Sequence, residues 1–444
     1  MHNSVALPDG SARFWRQLLV FVGPAWLVSV GYMDPGNWGT DLQGGAQFRY
    51  GLLWVVALAS LMAIFLQLIA ARLGVVTGKD LAQCCRDWYP SWVRLPNWIF
   101  CELAIAGTDL AESLGAAVAI NLLFHIPLLW ALIITVFDVV LLLTLRNVGM
   151  RAIEAIIAVL ISTIAVCYFI EIFILPQTHP DFAAMAHGLF TPSLHAPGIL
   201  VVAIGIIGAT VMPHNLYLHS ALVQSRQLQK DEAAVKRAIW FNSIDTSVSL
   251  TLAFLINAAI LVLAAMVFFG KTSATVGGHV YFFTPDSDWI TIAFITLAPL
   301  LGTVVAGPLY GIALLASGQS STITGTLAGQ VVMEGFMQWR IQPWVRRLVT
   351  RLIAVTPAIL IVAARPHSSI TDLLVLSQVV LALQLPFAMF PLLQFTSSRL
   401  RMGKWKLGWG LLIAGWGSAL LITALDIYGM PDALKQAWQV ITGR

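Results

Sequence analysis

The sequence predicts an all-α integral membrane protein, and three observations carry that prediction. Of its 444 residues, 58% are hydrophobic and only 10% charged, against about 45–50% and about 25% in an ordinary soluble domain. Eleven apolar runs are long enough to cross a bilayer as helices, which takes about 20 residues each. With the N-terminus placed in the cytoplasm, 20 of the 25 lysines and arginines fall on the cytoplasmic face. That is the asymmetry the positive-inside bias produces, and one span more or fewer would scatter it.

In chain order the spans read 15–46, 52–77, 92–124, 127–145, 152–175, 196–226, 240–269, 288–318, 347–365, 371–396 and 407–428. The first and sixth are interrupted; the others are continuous. The polar N-terminus, MHNSVALPDGSARFWRQ, leads into the first span without a short apolar region and cleavage site, so it is expected to be retained. Cys84, Cys85, Cys101 and Cys167 show no metal-ligand spacing and no disulfide framework. A net charge of +4 with scattered basic residues gives no support for nucleic-acid binding. The chain has no glycine-rich phosphate cradle, nucleophile elbow or HExxH motif, which argues against an enzyme.

The two interruptions are DPGN at 34–37 and MPHN at 212–215, each Xaa-Pro-Xaa-Asn and 178 residues apart. Asp-Pro-Gly-Asn in a soluble protein is a β-turn. At bilayer depth a charged Asp34 costs about 2.5–3.5 kcal/mol even on lenient scales, which marks a functional site. Pro35 and Pro213 lack an N–H, and their rings clash with the carbonyl four residues earlier, on Gly31 and Ala209. Matching breaks in the first span of each five-span half point to a transporter of inverted repeats with its site at the midplane. A single domain over 1–444 is expected, with repeats at 15–175 and 196–396 and an extra helix at 407–428.

Freed carbonyls and half-helix C-termini gather negative charge at one place, which suits a cation. Asp34 offers a carboxylate, Asn37 and Asn215 amide oxygens, Gly31 and Ala209 carbonyls, and Met212 a thioether. Oxygen alone would accept Mg²⁺ or Ca²⁺; sulfur tilts the preference toward softer divalent metals, Mn²⁺ or Fe²⁺. Read alone, Met212 is a core gap-filler.

In the third span Glu102, Asp109 and Glu112 share one helical face, which lipid would not tolerate. With His214 and His219 they make the inventory of a proton relay. Arg346, Arg347 and Arg351 are candidate partners, although most of them read more simply as cytoplasmic anchors. His219 also reads as a structural hydrogen-bonder. Asp138, Glu154, Asp245 and Asn257 read as inter-helix glue.

At these motifs the chain resembles the natural resistance-associated macrophage protein (NRAMP) family of divalent metal transporters, bacterial type. DPGN and MPHN are similar to the family's paired metal-site motifs, and GTDLAE (107–112) to its third-span acidic motif. SGQSSTITGTLAGQVVMEGF (317–336) resembles the long motif at the end of its eighth span and the following cytoplasmic loop, and SQVVLALQLPFAMFPL (377–392) its tenth span. The resemblance implies a LeuT-like 5+5 inverted repeat, broken at Pro35, Gly36 and Pro213, plus an eleventh helix. It implies proton-coupled uptake of Mn²⁺, with Fe²⁺, Cd²⁺ and Co²⁺, by alternating access, the metal and H⁺ being substrates and no cofactor or obligatory protein partner being needed. By position it implies ligation by Asp34, Asn37, Met212 and the Ala209 carbonyl, with Gln378 joining in one conformation. Gly31 stands where many members carry alanine, and its carbonyl remains available. The place implied is the cytoplasmic (inner) membrane, N-terminus inside and C-terminus outside. A Mg²⁺ carrier on the same scaffold is the nearest alternative and Met212 the discriminator. A sodium-coupled amino-acid symporter shares broken first and sixth helices but does not call for an acidic residue opposite a thioether, and a passive channel would need only a lined pore, without two matched breaks.

Overall fold

The computed structural model describes residues 14–137, 150–174, 180–227, 231–276, 278–284, 287–300, 306–364 and 370–442. The first span is assembled from pieces: α1 (Phe14–Phe21), α2 (Pro24–Ser29), a 3₁₀ turn (Gly31–Met33) and α3 (Pro35–Phe48). Gly23 separates α1 from α2 at φ +141°, a region that side chains resist. The second span, α4 (Leu53–Thr77), is unbroken and ends at the left-handed Gly78. Beyond it lies α5 (Leu81–Trp88), not anticipated as a helix, started by a reciprocal Asp80–Gln83 capping box.

The third span is α6 (Ser91–Phe124), 34 residues long. At about 1.5 Å per residue it outreaches a hydrocarbon core of about 30 Å. α7 (Leu128–Val136) begins the fourth span, whose remainder, with Asp138, lies outside the described residues. α8 (Met150–Phe169) runs into a π turn at Ile170–Ile174, and a short α9 (Phe182–Phe190) follows. The sixth span is α10 (Ile199–Thr210) and α11 (Pro213–Leu222), parted at the second proline as the sequence requires. α12 (Glu232–Val267) leads to an unexpected hairpin, β1 (Ser273–Val276) antiparallel to β2 (His279–Phe282). Then come α13 (Trp289–Leu300), α14 (Ala306–Met337), α15 (Pro343–Ala364), α16 (Ile370–Ser397), α17 (Arg399–Met402) and α18 (Trp409–Thr442).

Among the described residues, seven helices are long and apolar enough to cross a membrane on their own. Of the other four expected spans, the first is divided between α2 and α3, the ninth, α15, opens with three arginines, and the fourth and eighth run into positions outside the described residues. The broken elements occupy the centre: α3 packs against α6, α10, α12 and α16, and α11 against α4, α14 and α16. Apolar side chains such as Leu103, Val159, Leu360, Ile413 and Leu420 face outward, as a lipid-solvated surface requires.

Asp245, read from sequence as inter-helix glue, reaches from α12 to the start of α2. Its Oδ2 accepts from the backbone N–H of Gly23 at 3.3 Å and of Ala25 at 3.0 Å. It caps a helix that has no side-chain cap of its own. Asp245→Ala is expected to cost about 1–2 kcal/mol by stranding two buried donors. Thermal unfolding of the purified protein in detergent measures it, and an unchanged midpoint would refute the capping role.

Candidate metal site

Both breaks are built the same way. Asp34 is extended (φ −70°, ψ 166°) and Met212 likewise (φ −65°, ψ 122°), each followed by proline at the first helical position. Asp34 is fully buried and caps α3: its Oδ1 accepts from Asn37 N at 2.9 Å and from Asn37 Nδ2 at 2.8 Å. Asn37 Nδ2 also donates to the Ala209 carbonyl at 3.1 Å, tying the first break to the second. The other carboxylate oxygen, Asp34 Oδ2, is buried with no hydrogen-bond partner.

Met212 is buried in a cluster with Ala104 and Leu381. Asn215 Nδ2 donates to its sulfur at 3.5 Å, and the same amide fills the space that a Cβ on Gly31 would take. Gln378 comes in from α16: its amide lies so close to Gly36 that any side chain there would collide with it. Its Nε2 donates to Ser377 Oγ at 2.9 Å, while Oε1 is buried and unpartnered, as is Asn215 Oδ1. A carboxylate oxygen and two amide oxygens are thus held at the two breaks with their acceptor capacity unspent, beside a thioether that accepts one long bond from Asn215. Among the described residues no three His, Cys, Asp or Glu side chains gather as a metal-binding group; the donors here are of mixed type.

Two details differ from the sequence reading. The carbonyls behind the prolines are not bare, since Gly31 O accepts a long 3.4 Å bond from Asp34 N and Ala209 O accepts from Asn37. Asn37 also turns its amide nitrogen, not its oxygen, toward Asp34. The cause is Asn257 on α12, whose Nδ2 donates to Tyr32 O at 2.7 Å and to Asn37 Oδ1 at 3.2 Å. Asn257 is the residue that sequence reasoning set aside. A lone amide within FLINAAILVLAA was its one signal.

The third-span acids form a separate buried network. Arg347 Nη1 donates to Asp109 Oδ1 and its Nη2 to Glu112 Oε2, the latter at 2.6 Å. Arg351 Nη1 donates to the Asp109 carbonyl at 2.8 Å, and Thr322 Oγ1 to Glu112 Oε2 at 3.2 Å. Glu102 lies apart, held by Arg346 at 2.6 Å and by Trp98 Nε1 at 3.1 Å. The expectation that most of these arginines are surface anchors is corrected: all three are buried, because three acids on one helix face demand counter-charge from the helix opposite. His214 is buried with Nδ1 unpartnered and Asp109 within electrostatic reach. His219 goes elsewhere: its Nδ1 hydrogen-bonds Gln67 Oε1 at 2.9 Å, and Gln67 Nε2 donates to Tyr32 OH at 2.7 Å. It braces the 3₁₀ turn and is not gathered with the acids.

The family model described as natural resistance-associated macrophage protein-like matches residues 25–431. The divalent metal cation transporter MntH of a Nostoc species is 46% identical over 436 residues, covering 98% of this chain and 95% of that one. MntH of Listeria monocytogenes serotype 4a is 46% identical over 430 residues, covering 96% and 93%. The crystal structure of the Eremococcus coleocola manganese transporter superposes with a TM-score of 0.86 at 38% identity, covering 99% of this chain and 94% of that one. Mhp1, a nucleobase-cation-symport-1 family transporter, superposes at 0.59 with 13% identity over 100% and 96%, a likeness of fold alone. The architecture is the LeuT-like one, with broken first and sixth helices.

Arg347→Leu strips the counter-charge from two buried carboxylates and is expected to cost about 3–5 kcal/mol. Arg346→Leu should cost less, because its partner Glu102 is 21% exposed. Unfolding midpoints of the two variants compared side by side test this, and equal losses would show that burial does not set the cost.

Proposed function

The chain belongs to the natural resistance-associated macrophage protein family of multi-pass membrane transporters, and on that footing we propose that it carries divalent transition metal ions into the cytoplasm together with protons, by alternating access. The cargo in this reading is Mn²⁺, with Fe²⁺, Cd²⁺ and Co²⁺ also accepted. The observation that carries it is the meeting of Asp34 and the Met212 break through the Asn37–Ala209 hydrogen bond. An anionic oxygen and a sulfur are thereby supplied from two helices that can move relative to one another.

The ligands proposed are Asp34 Oδ2, Met212 Sδ, the Ala209 carbonyl and the Asn37 amide oxygen, with the Gly31 carbonyl and Gln378 Oε1 beside them. Sulfur disfavours a hydrated hard ion, which is why a Mg²⁺ carrier is the weaker reading. For Asn37 to present oxygen its amide must turn over, and Asn257 must then release Tyr32 O and turn as well. Metal capture is in this way coupled to α12. A cation beside Asp34 lowers that carboxylate's hold on a proton. The released proton has His214 and the Asp109–Glu112–Arg347 network as its way inward, with Glu102 and Arg346 at the far end.

Residues 15–175 and 196–396 are the two proposed repeats and 407–428 the added helix. The proposed setting is the cytoplasmic membrane with the N-terminus inside, so that the β1–β2 hairpin lies at the outer end. The concentration of Lys and Arg in the opposite loops supports that orientation.

Competition uptake into proteoliposomes, with Mn²⁺ challenged by Fe²⁺, Cd²⁺, Mg²⁺ and Ca²⁺, tests the metal assignment. Met212→Ala is expected to lose discrimination against Mg²⁺ and Ca²⁺ while Asp34→Asn loses uptake of every ion. Retained discrimination in Met212→Ala would remove sulfur from the site. Asp109→Asn and Glu112→Gln are expected to diminish the proton flux that accompanies Mn²⁺, read with an internal pH dye; unchanged flux would break the relay assignment.

A further inference from the structure

The buried acids of this protein fall into two groups. Asp109, Glu112 and Glu102 have arginine partners. Asp41 and Glu171 have none: each is buried, and neither makes an ion pair with any described lysine, arginine or histidine. Among the described residues, Asp41 Oδ2 and both carboxylate oxygens of Glu171 have no hydrogen-bond partner, and neither do the hydroxyls of Tyr168 and Tyr310. A carboxylate left charged in such surroundings is expensive, so what the site accommodates is the neutral acid carrying its proton.

These groups are placed in order. Asp41 lies seven residues beyond Asp34 on the same face of α3 and within its electrostatic reach. Tyr168 lies within reach of Asp41, of Glu171 and of Tyr310. Tyr310 in turn is within reach of Glu171 and of Asp288, which is partly exposed at the hairpin end. Cys167 is a further titratable neighbour of Glu171 among the described residues. Glu171 sits in the π turn after α8, an irregularity that re-aims a side chain and is frequent at functional sites.

We propose that Asp288, Tyr310, Glu171, Tyr168 and Asp41 form a proton inlet, distinct from the metal's route, running from the outer face to within two helical turns of the broken-helix centre. The aromatic packing supports the distinction. The rings of Tyr168 and Tyr310 lie 5.2 and 5.3 Å from that of Trp38, and all three are buried, a packed aromatic lining unlike the mixed oxygen and sulfur donors at the breaks. A proton needs only a thread of oxygen atoms and water. Each phenol takes a proton on its free lone pair and releases its own, ending neutral, and each carboxylic acid passes one on in the same way. No other reactant is consumed.

The inlet rests on the proton-coupled reading above, and the test separates the two. The full-length protein in proteoliposomes, with acid outside, is given Mn²⁺ while metal uptake and internal pH are followed together. If the wild type imports Mn²⁺ without acidifying the lumen, proton coupling itself fails. If the wild type acidifies, Glu171→Gln and Tyr310→Phe are expected to lower the protons entering per Mn²⁺ by about tenfold and to flatten the acid stimulation of uptake. Their Mn²⁺ affinity by calorimetry should stay at the wild-type value. Both variants keeping the wild-type ratio and pH profile would overturn the inlet, as would a loss confined to Mn²⁺ affinity. Should Glu171→Gln misfold, Tyr310→Phe decides alone, since it removes one hydroxyl and keeps the ring.

Discussion

A peptide group in hydrocarbon has no water to turn to, so every interruption of a membrane helix must be repaired by protein. That constraint organises the whole molecule. The two prolines strip hydrogen bonds from the first and sixth spans, and the repairs are side chains from elsewhere in the bundle. Asn37 serves the Ala209 carbonyl, Asn257 the Tyr32 carbonyl, and Ser317 the Met33 carbonyl. Asp245 serves the amides at the start of α2. The repairs come from α12 twice, from α14 and across the two breaks, so the helices around the centre are bound to it by polar contacts as well as by packing.

Charge follows the same logic with higher stakes. Arg347 is 1% exposed and is held between two carboxylates that are themselves sealed from solvent. Removing one member leaves the others uncompensated, which is why such a cluster acts as a unit. Among the acids that lack an arginine, Asp245 and Asp80 are satisfied by backbone amides, whereas Glu171 has neither kind of partner among the described residues. An unpaired acid in this interior is therefore a place where cargo charge or a proton is expected to reside, and Asp34 belongs to that group.

Much of this was legible in the sequence because its strongest signals are local. Proline at 35 and 213 dictates a break wherever the rest of the chain goes, and the i, i+7 and i+10 spacing of Glu102, Asp109 and Glu112 dictates one face of a helix. Span boundaries in unbroken helices such as α4 and α6 followed from hydropathy alone. What could not be read were pairings across the bundle. Arg347 looks the same in sequence whether it anchors a loop at the surface or lies buried opposite Asp109, and the choice is made by how α15 packs on α6. Asn257 carried too little local context to be placed beside Asn37, 220 positions away. Likewise His219 shares a helix with His214, yet half a turn of rotation sends it to Gln67 on α4.

The Asn257–Asn37 pair shows why this matters for transport. Asn257 has one amide nitrogen, donating at once to Tyr32 O and to Asn37 Oδ1. While it does so, Asn37 can only donate toward Asp34 and Ala209, an arrangement suited to a carboxylate and carbonyl with no cation between them. A metal reverses the demand, because two donors facing a cation repel it. The amide of Asn37 must invert, and Asn257 can follow only by releasing the 3₁₀ turn that precedes Asp34. In the proposed mechanism the turn linking α2 to α3 would thereby be loosened on capture of the ion and held by Asn257 otherwise. In a LeuT-like bundle such a linkage, made of two amides and one carbonyl, would connect occupancy of the proposed site to movement of the half-helix α2.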